Sequence, residues 1–384
     1  MKYIKSRHDK DMGDILPNSV WDLHELFKAS GKKLIVVGGC VRDFKKGNDK
    51  PKDFDLATDA TPDEILDICK DYKTTVQGKS FFVVIVYTDD QPMGMEIATF
   101  RKDVYGDNLG KTRNPEVEFT TLEDDLGRRD LTYNALYYDM DTKKVVDLKG
   151  GIDDMKNKIS RFIGDPDLRI LEDPLRILRL LRFTTRYDFT IDPETRESIK
   201  RNSDKLSMIT AERIWDSVNG EFIKAFEQKK NFQDYLNYLT EFDLWKFVLP
   251  GLKVNSDEIK SNDNLLLVLS QLIHDNDRKV IQKSLQDLIP TLLVNRILFL
   301  KDMLNFDANK VSTFYSTKKR FSLDNDDIKD WLMVNNIQDH DTIKFIYYTP
   351  TVSAQKVMSE HGLKQGRELG MKIKELEIEE FKNL

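Results

Sequence analysis

The chain has two cysteines in 384 residues, Cys40 and Cys69. That is too few for a disulfide framework, and it points to a reducing, cytoplasmic setting. Histidine is almost as scarce. There are five, with none between His24 and His274. His274-Asp275 therefore lacks the further histidines that a metal-dependent phosphohydrolase would need, and it reads as the end of an apolar helix. No apolar run reaches the ~18 residues of a membrane span. The first residues, Met1-Lys2-Tyr3-Ile4-Lys5-Ser6-Arg7-His8-Asp9, lack the apolar centre of a signal peptide. Excess positive charge is missing too: 60 Lys and Arg stand against 66 Asp and Glu, a net charge of −6. This does not advertise a nucleic-acid binder, but it excludes none, because binding depends on where the cations sit. Internal repeats and low-complexity tracts are absent. With 40% apolar and 33% charged residues, the composition is that of a globular chain long enough for two or three cores.

What is present starts with two short runs. Gly38-Gly39-Cys40-Val41-Arg42-Asp43 puts paired glycines where a backbone can approach a phosphate closely. Lys52-Asp53-Phe54-Asp55-Leu56-Ala57-Thr58 places carboxylates at i and i+2, on one face of an extended segment. Two carboxylates held together favour a divalent cation, and Asp53 and Asp55 are the candidate ligands of Mg²⁺. A lone DxD is most often a solvated turn pair; the glycine turn nearby changes that balance. Glu96 is the candidate third acid, on a strand expected over 95–101.

Around these runs the first ~150 residues alternate strands and helices. Leu34-Ile35-Val36-Val37 reads as a buried strand. A helix is expected over 62–70, with Thr61 as its N-cap and Pro62 in its first turn. Further strands are expected over 81–87 and 95–101, and a hairpin over 135–148. The polar stretch 102–115, with Gly106 and Gly110, reads as a mobile loop. From Ile152 onward the pattern is helical throughout. Residues 168–187 form one amphipathic helix or a pair, and further helices are expected over 211–226, 231–247, 264–274, 278–288, 292–304, 353–361 and 367–381.

Two more runs carry charge in a chemically useful order. Arg128-Arg129-Asp130-Leu131-Thr132-Tyr133-Asn134 offers an arginine pair suited to a triphosphate and an acid suited to a hydroxyl. Taken alone it also fits a charged helix start. Glu172-Asp173-Pro174-Leu175-Arg176 precedes Arg179 and Arg182, and arginines every three residues share one side of a helix. Asp173 and Arg176 together supply the acceptor and donors that distinguish base edges. A salt-bridged amphipathic helix explains the spacing equally well.

Taken in order, these motifs resemble class II tRNA nucleotidyltransferases, the group of CCA-adding enzymes and bacterial poly(A) polymerases. The likeness runs from about residue 34 to about residue 215 and includes Asp147-Leu148-Lys149-Gly150-Gly151, similar to the family's spring segment. It implies an α+β chain: a polymerase-β-like head over 1–157, then an all-helical neck over 158–225, body over 226–310 and tail over 311–384. It also implies template-independent addition of C and A to the 3′ end of tRNA from CTP and ATP with Mg²⁺. Gly39 and Arg42 would meet the triphosphate, with Arg129 on phosphate and Asp130 on the ribose, and Gly38 and Asn134 would also belong to the nucleotide site. Asp173 and Arg176 would read the base, Arg179 and Arg182 would face the phosphates, and Glu212-Arg213 would brace the reading helix. Residues 102–115 would serve the change from C to A. Tyr133 departs from the family's usual β-branched residue. The alternatives are a poly(A) polymerase, a partial CC- or A-adding enzyme and a catalytically silent RNA-binding protein.

Overall fold

The computed structural model describes residues 2–3, 11–48, 50–51, 53–77, 83–106, 116–216, 220–257, 259–260 and 264–384. Lys52, Phe81, Phe82 and residues 107–115 of the expected loop lie outside them. The chain divides into two units, Met1–Ile209 and Thr210–Leu384. That boundary falls inside the segment expected as the neck.

The first unit opens with β1 (Lys2–Tyr3), α1 (Asn18–Ala29), β2 (Leu34–Val37), α2 (Gly39–Lys45), β3 (Asp55–Thr58) and α3 (Pro62–Ile68). Next come β4 (Lys73–Gln77), β5 (Val83–Tyr87), β6 (Met95–Thr99), β7 (Arg101–Val104), β8 (Glu116–Phe119) and α4 (Leu122–Gly127). The hairpin β9 (Tyr137–Asp139) and β10 (Lys144–Asp147) leads to α5 (Gly151–Asn157), β11 (Ile159–Ser160), α6 (Pro166–Glu172), α7 (Leu175–Tyr187), β12 (Thr190–Ile191) and α8 (Pro193–Asn202).

Among the described residues, eight strands form one sheet in the order β1-β10-β9-β2-β3-β6-β5-β4. β2 runs antiparallel to β3 with Val37 opposite Asp55, and β3 runs parallel to β6 with Leu56 opposite Ile97. Leu34, Val36 and Leu56 pack with Val20, Leu23 and Phe27 of α1 on one face. Ile35, Val37 and Ala57 pack with Leu122 and Leu126 of α4 on the other. A strand covered on both faces has no polar side, which is why β2 is four apolar residues in a row.

Several expectations change, and 211–226 and 231–247 each hold two helices in place of one. Residues 95–101 do not form one strand: β6 ends at Thr99, and Arg101 starts β7 with its N–H donated to Asp125 Oδ1 at 3.2 Å. Residues 102–104 belong to β7 and not to a loop. β7 pairs antiparallel with β8, and Lys102 faces Glu118, Nζ to Oε2 2.7 Å. Opposite charges on facing residues favour that register. The region after Ile152 is not wholly helical either, because β11 and β12 make a short parallel pair. The stretch 168–187 resolves as a pair of helices: Asp173 precedes Pro174 and takes extended backbone, φ −150°, as the ring of a following proline demands.

The second unit is helical throughout its described residues. It contains α9 (Ala211–Trp215), α10 (Glu221–Glu227), α11 (Phe232–Glu241), α12 (Trp245–Val248), α13 (Leu265–Leu272), α14 (Arg278–Leu285) and α15 (Thr291–Met303). It ends with α16 (Val311–Arg320), α17 (Asn325–Val334), α18 (His340–Tyr347), α19 (Ala354–His361) and α20 (Arg367–Asn383). Buried indoles tie it internally: Trp215 donates to the Val248 carbonyl and Trp331 to that of Leu300, each at 2.8 Å. A mixed sheet followed by helices is the expected α+β arrangement. No helix among the described residues is long and apolar enough to cross a membrane.

Candidate active site

β2 runs out at Val37, and the next residue turns the chain into α2. Gly38 does this at φ +75°, ψ −128°, a conformation side chains disfavour. Space is short as well: a Cβ there would lie 3.4 Å from Arg129 Nη1 and 3.5 Å from Asp55 Oδ2. The glycine turn, the first β3 carboxylate and the second arginine of the pair therefore meet at one point. A Cβ on Gly39 would lie 3.5 Å from Arg42 Nη2, so that guanidinium edge also faces the turn.

The acids share this corner. Asp53 precedes β3, Asp55 begins it, and Glu96 stands on the neighbouring β6. Asp55 is solvent-accessible by area, yet surrounding protein raises its carboxyl above the ordinary range; Arg129 opposes the rise and Asp53 adds to it. Burial, then Asp55, then Asp53 raise Glu96 in the same direction. Crowded negative charge of this kind is relieved by a cation. Among the described residues no three His, Cys, Asp or Glu side chains form a ready metal cage. Asp53 and Asp55 are the carboxylates that could hold a divalent cation, since Mg²⁺ takes one or two carboxylates and completes its shell with phosphate oxygens and water.

The arginines are held from behind. Arg129 Nη2 donates to Asp125 Oδ2 at 3.3 Å, and its buried Nε has no hydrogen-bond partner among the described residues. Its Nη1 faces the glycine turn, where a guanidinium nitrogen suits an anionic ligand. Arg42 is buried. Its Nε donates to Asp43 at 2.9 Å and its Nη1 to Asn134 Oδ1 at 2.6 Å, and it lies 5.0 Å from the Phe183 ring centre and 5.2 Å from that of Tyr187. Asn134 in turn donates to Asp130 at 2.9 Å. Asp130 also accepts from Arg179 Nε and Nη2, at 3.0 and 2.8 Å. Burial alone would raise Asp130, but the Arg179 charge and these hydrogen bonds hold its carboxyl well below the usual range.

The structure thus joins the expected residues into a chain running Arg179–Asp130–Asn134–Arg42. It engages Arg179 with Asp130 and stacks the buried Arg182 on Phe183, 4.3 Å from its ring centre. Arg176 is buried as well, donating to the Arg169 carbonyl at 2.9 Å, to the Arg128 carbonyl at 3.0 Å and to Glu172. Asp173 caps the α6–α7 corner, its Oδ1 accepting from the Leu175 N–H at 3.2 Å. Tyr133, the departure from the family pattern, is a packing residue: its hydroxyl meets Ser160 at 3.0 Å and its ring packs edge-on against Phe183, Tyr187 and Phe189.

Two neighbours of the site escaped sequence reasoning. One is Asp125. The other is Tyr105, just past β7, whose phenol is pushed up to about 12 by burial and then by Asp103, while Arg176 opposes the rise and Glu172 and Asp173 add to it. Its i+4 relation to Arg101 in an extended run was the available signal. His274 and Asp275 pair with each other at 2.9 Å on the surface.

Residues 34–161 match the family described as the poly A polymerase head domain, and residues 188–255 match the probable RNA and SrmB-binding site of polymerase A. Poly(A) polymerase I of Salmonella typhi is 31% identical over 285 residues, 72% of this chain and 59% of that protein. The CCA-adding enzyme of Ligilactobacillus salivarius is 39% identical over 225 residues, 58% of this chain and 52% of the relative. The chain thus spans a little over half the length of these relatives. The solved Thermotoga maritima CCA-adding enzyme complexed with tRNA superposes with a TM-score of 0.69 at 20% identity, covering 97% of this chain and 94% of that one. At such identity the likeness is one of fold.

Proposed function

Because the chain belongs to the family of CCA-adding tRNA nucleotidyltransferases and bacterial poly(A) polymerases, we propose that it completes the 3′ end of tRNA with CCA, using CTP and ATP without a template. The observation that carries this reading is the meeting of Gly38, Asp55 and Arg129 at one corner, with Asp53 and Glu96 beside them. A backbone that admits a phosphate, a crowded acid pair and a guanidinium nitrogen facing the turn are the parts nucleotidyl transfer needs.

Asp53 and Asp55 would hold Mg²⁺, with Glu96 as the third acid. When bound, the metal supplies charge neutralisation at the attacking 3′-oxygen and at the departing pyrophosphate. Arg129 and Arg42 hold the triphosphate by charge-assisted hydrogen bonds. Asp130 is the acceptor offered to the ribose, and Asn134 ties it to Arg42. Asp173 and Arg176 accept and donate to the base edge. Polar groups of this kind reject a mismatched base because they are left unpaired by it. Residues 158–225 form the segment that reads the nucleotide and 311–384 the one that meets tRNA. A reducing, cytoplasmic setting suits the two unpaired cysteines.

Poly(A) addition is the second reading, favoured by the longer alignment with poly(A) polymerase I. A single experiment separates the two. The full chain is incubated with tRNA ending before CCA and with CTP, ATP or both, and the 3′ ends are sequenced. CCA addition gives two C with CTP alone and C, C, A with both nucleotides, then stops. A long A tract from ATP alone, on any RNA, makes the protein a poly(A) polymerase.

A further inference from the structure

α4 packs Leu122 and Leu126 against the sheet and carries Asp125 inward between them. Asp125 is 1% exposed. A carboxylate buried so completely is costly unless every oxygen is hydrogen-bonded to a donor, preferably a cationic one. Its Oδ1 accepts from Arg128 Nε and Nη2, at 3.1 and 2.8 Å, and from the Arg101 N–H at 3.2 Å. Its Oδ2 accepts from Arg129 Nη2 at 3.3 Å. One buried acid therefore grips both arginines of the pair and the root of β7.

The alternative partner for Arg129 is close by. Arg129 Nη1 and Asp55 Oδ2 both lie within 3.5 Å of the point a Cβ on Gly38 would occupy. If the guanidinium swung onto Asp55, a phosphate-binding cation and a metal-binding anion would neutralise each other. Asp125 opposes that swing by holding the Nη2 end, which leaves Nη1 toward the turn.

We propose that Asp125 is a positioning residue for the nucleotide triphosphate, acting through Arg129: it anchors the guanidinium away from Asp55 so that Nη1 at the turn receives phosphate. The proposal rests on the nucleotidyltransferase reading above, and it adds a residue that touches neither nucleotide nor metal.

The test is a double-mutant cycle on the full chain: parent, Asp125→Asn, Arg129→Gln and the double variant. Each is checked by thermal melting and assayed below the lowest midpoint. Equilibrium binding of CTP and ATP is measured without RNA, and KM and kcat are measured with tRNA. Loss of one charge-assisted contact in Asp125→Asn raises the dissociation constant and the KM of CTP and ATP by about tenfold each, with the tRNA KM unchanged. The double variant binds nucleotide no worse than Arg129→Gln alone, because both changes remove the same contact. Multiplying penalties, an effect on one base only, or unchanged nucleotide binding in a folded Asp125→Asn overturns the proposal. If Asp125→Asn melts too low to assay, Asp125→Glu is read instead: raised nucleotide constants support the proposal and unchanged ones overturn it. A parent that binds both nucleotides but extends no RNA defeats the functional reading, while the binding cycle still decides the role of Asp125.

Discussion

Asp55 sits where three demands meet: it faces the glycine turn, it crowds Asp53, and it lies near Arg129. Substituting Asp55→Asn removes the charge proposed to bind metal but keeps the shape of the side chain. Activity should fall on the order of 10³-fold or more, as expected when a metal ligand that acts in the transition state is lost. The circular dichroism spectrum and melting midpoint should match the parent. Near-normal Mg²⁺-dependent turnover in this variant would exclude Asp55 as a ligand. For the base, Asp173→Asn is a cleaner probe than any change at Arg176, which also holds the Arg128 and Arg169 carbonyls. The variant should lose about 1–3 kcal/mol of discrimination against UTP and GTP while retaining CTP and ATP turnover. Competition assays with all four nucleotides measure it, and unchanged selectivity removes Asp173 from the reading role. These residues were legible in the sequence because their chemistry is written in short runs: GG, DxD, RRD and EDPLR. Asp125 was not, because Asp124-Asp125 looks like any acidic first turn until the fold brings Arg101, Arg128 and Arg129 onto one of its two carboxylates.

Among the elements, α3 offers the most direct test of local stability. Thr61 caps it, and Glu64 completes a capping box by accepting from the Thr61 N–H at 2.8 Å. Lys32 adds a second donor to Glu64, Nζ to Oε2 2.8 Å. The Lys32 hydrogen bond first, then the Thr61 N–H, pulls the Glu64 carboxyl from 4.5 down to about 2. The sign follows from linkage. An acid whose pKa is depressed by folding stabilises the folded chain above its unfolded value, and that contribution disappears as pH falls through the folded value. Glu64→Gln should therefore melt about 1–2 °C below the parent at pH 7, and the gap should narrow steadily as pH drops from 4.5 toward 2. A gap that is constant with pH would mean that the ionised cap contributes nothing. Thr61 and Pro62 made α3 readable in advance. α8, α17 and α18 escaped because their apolar stripes are short. Their caps were the readable signal: Asp192 before Pro193, Asp324 and Asp339 each accept an N–H of the first turn. The β7–β8 ribbon escaped for another reason. Its alternation joins segments separated by 107–115, and strand pairing across a gap leaves no local trace beyond complementary charges such as Lys102 and Glu118.

For the molecule as a whole, a net charge of −6 has to be reconciled with the proposed RNA partner. Association with a polyanion is driven by cations placed where phosphates lie, and the counterions they release make it salt-dependent whatever the net charge. In the second unit, Lys318, Lys319 and Arg320 close α16, and Arg278 and Lys279 open α14. The proposed nucleotide site in the head offers a different electrostatic setting, in which buried arginines such as Arg42 and Arg176 are held by acids and screened less by salt. The two binding events should therefore separate on a salt titration. Between 50 and 200 mM salt, tRNA affinity should weaken roughly 10- to 100-fold, the slope of about two to four phosphate contacts. Over the same range the dissociation constants of CTP and ATP, measured without RNA, should change several-fold less. Filter binding of tRNA and calorimetry of each nucleotide, done on the same preparation, supply both slopes. Charge reversal at the exposed Lys319 and Arg320 should flatten the tRNA slope and leave the nucleotide constants alone. If tRNA binding proves insensitive to salt, backbone phosphates are not what the second unit recognises. If the two slopes fall together, nucleotide and RNA share one electrostatic surface, and the separation of a nucleotide-binding head from an RNA-binding tail fails.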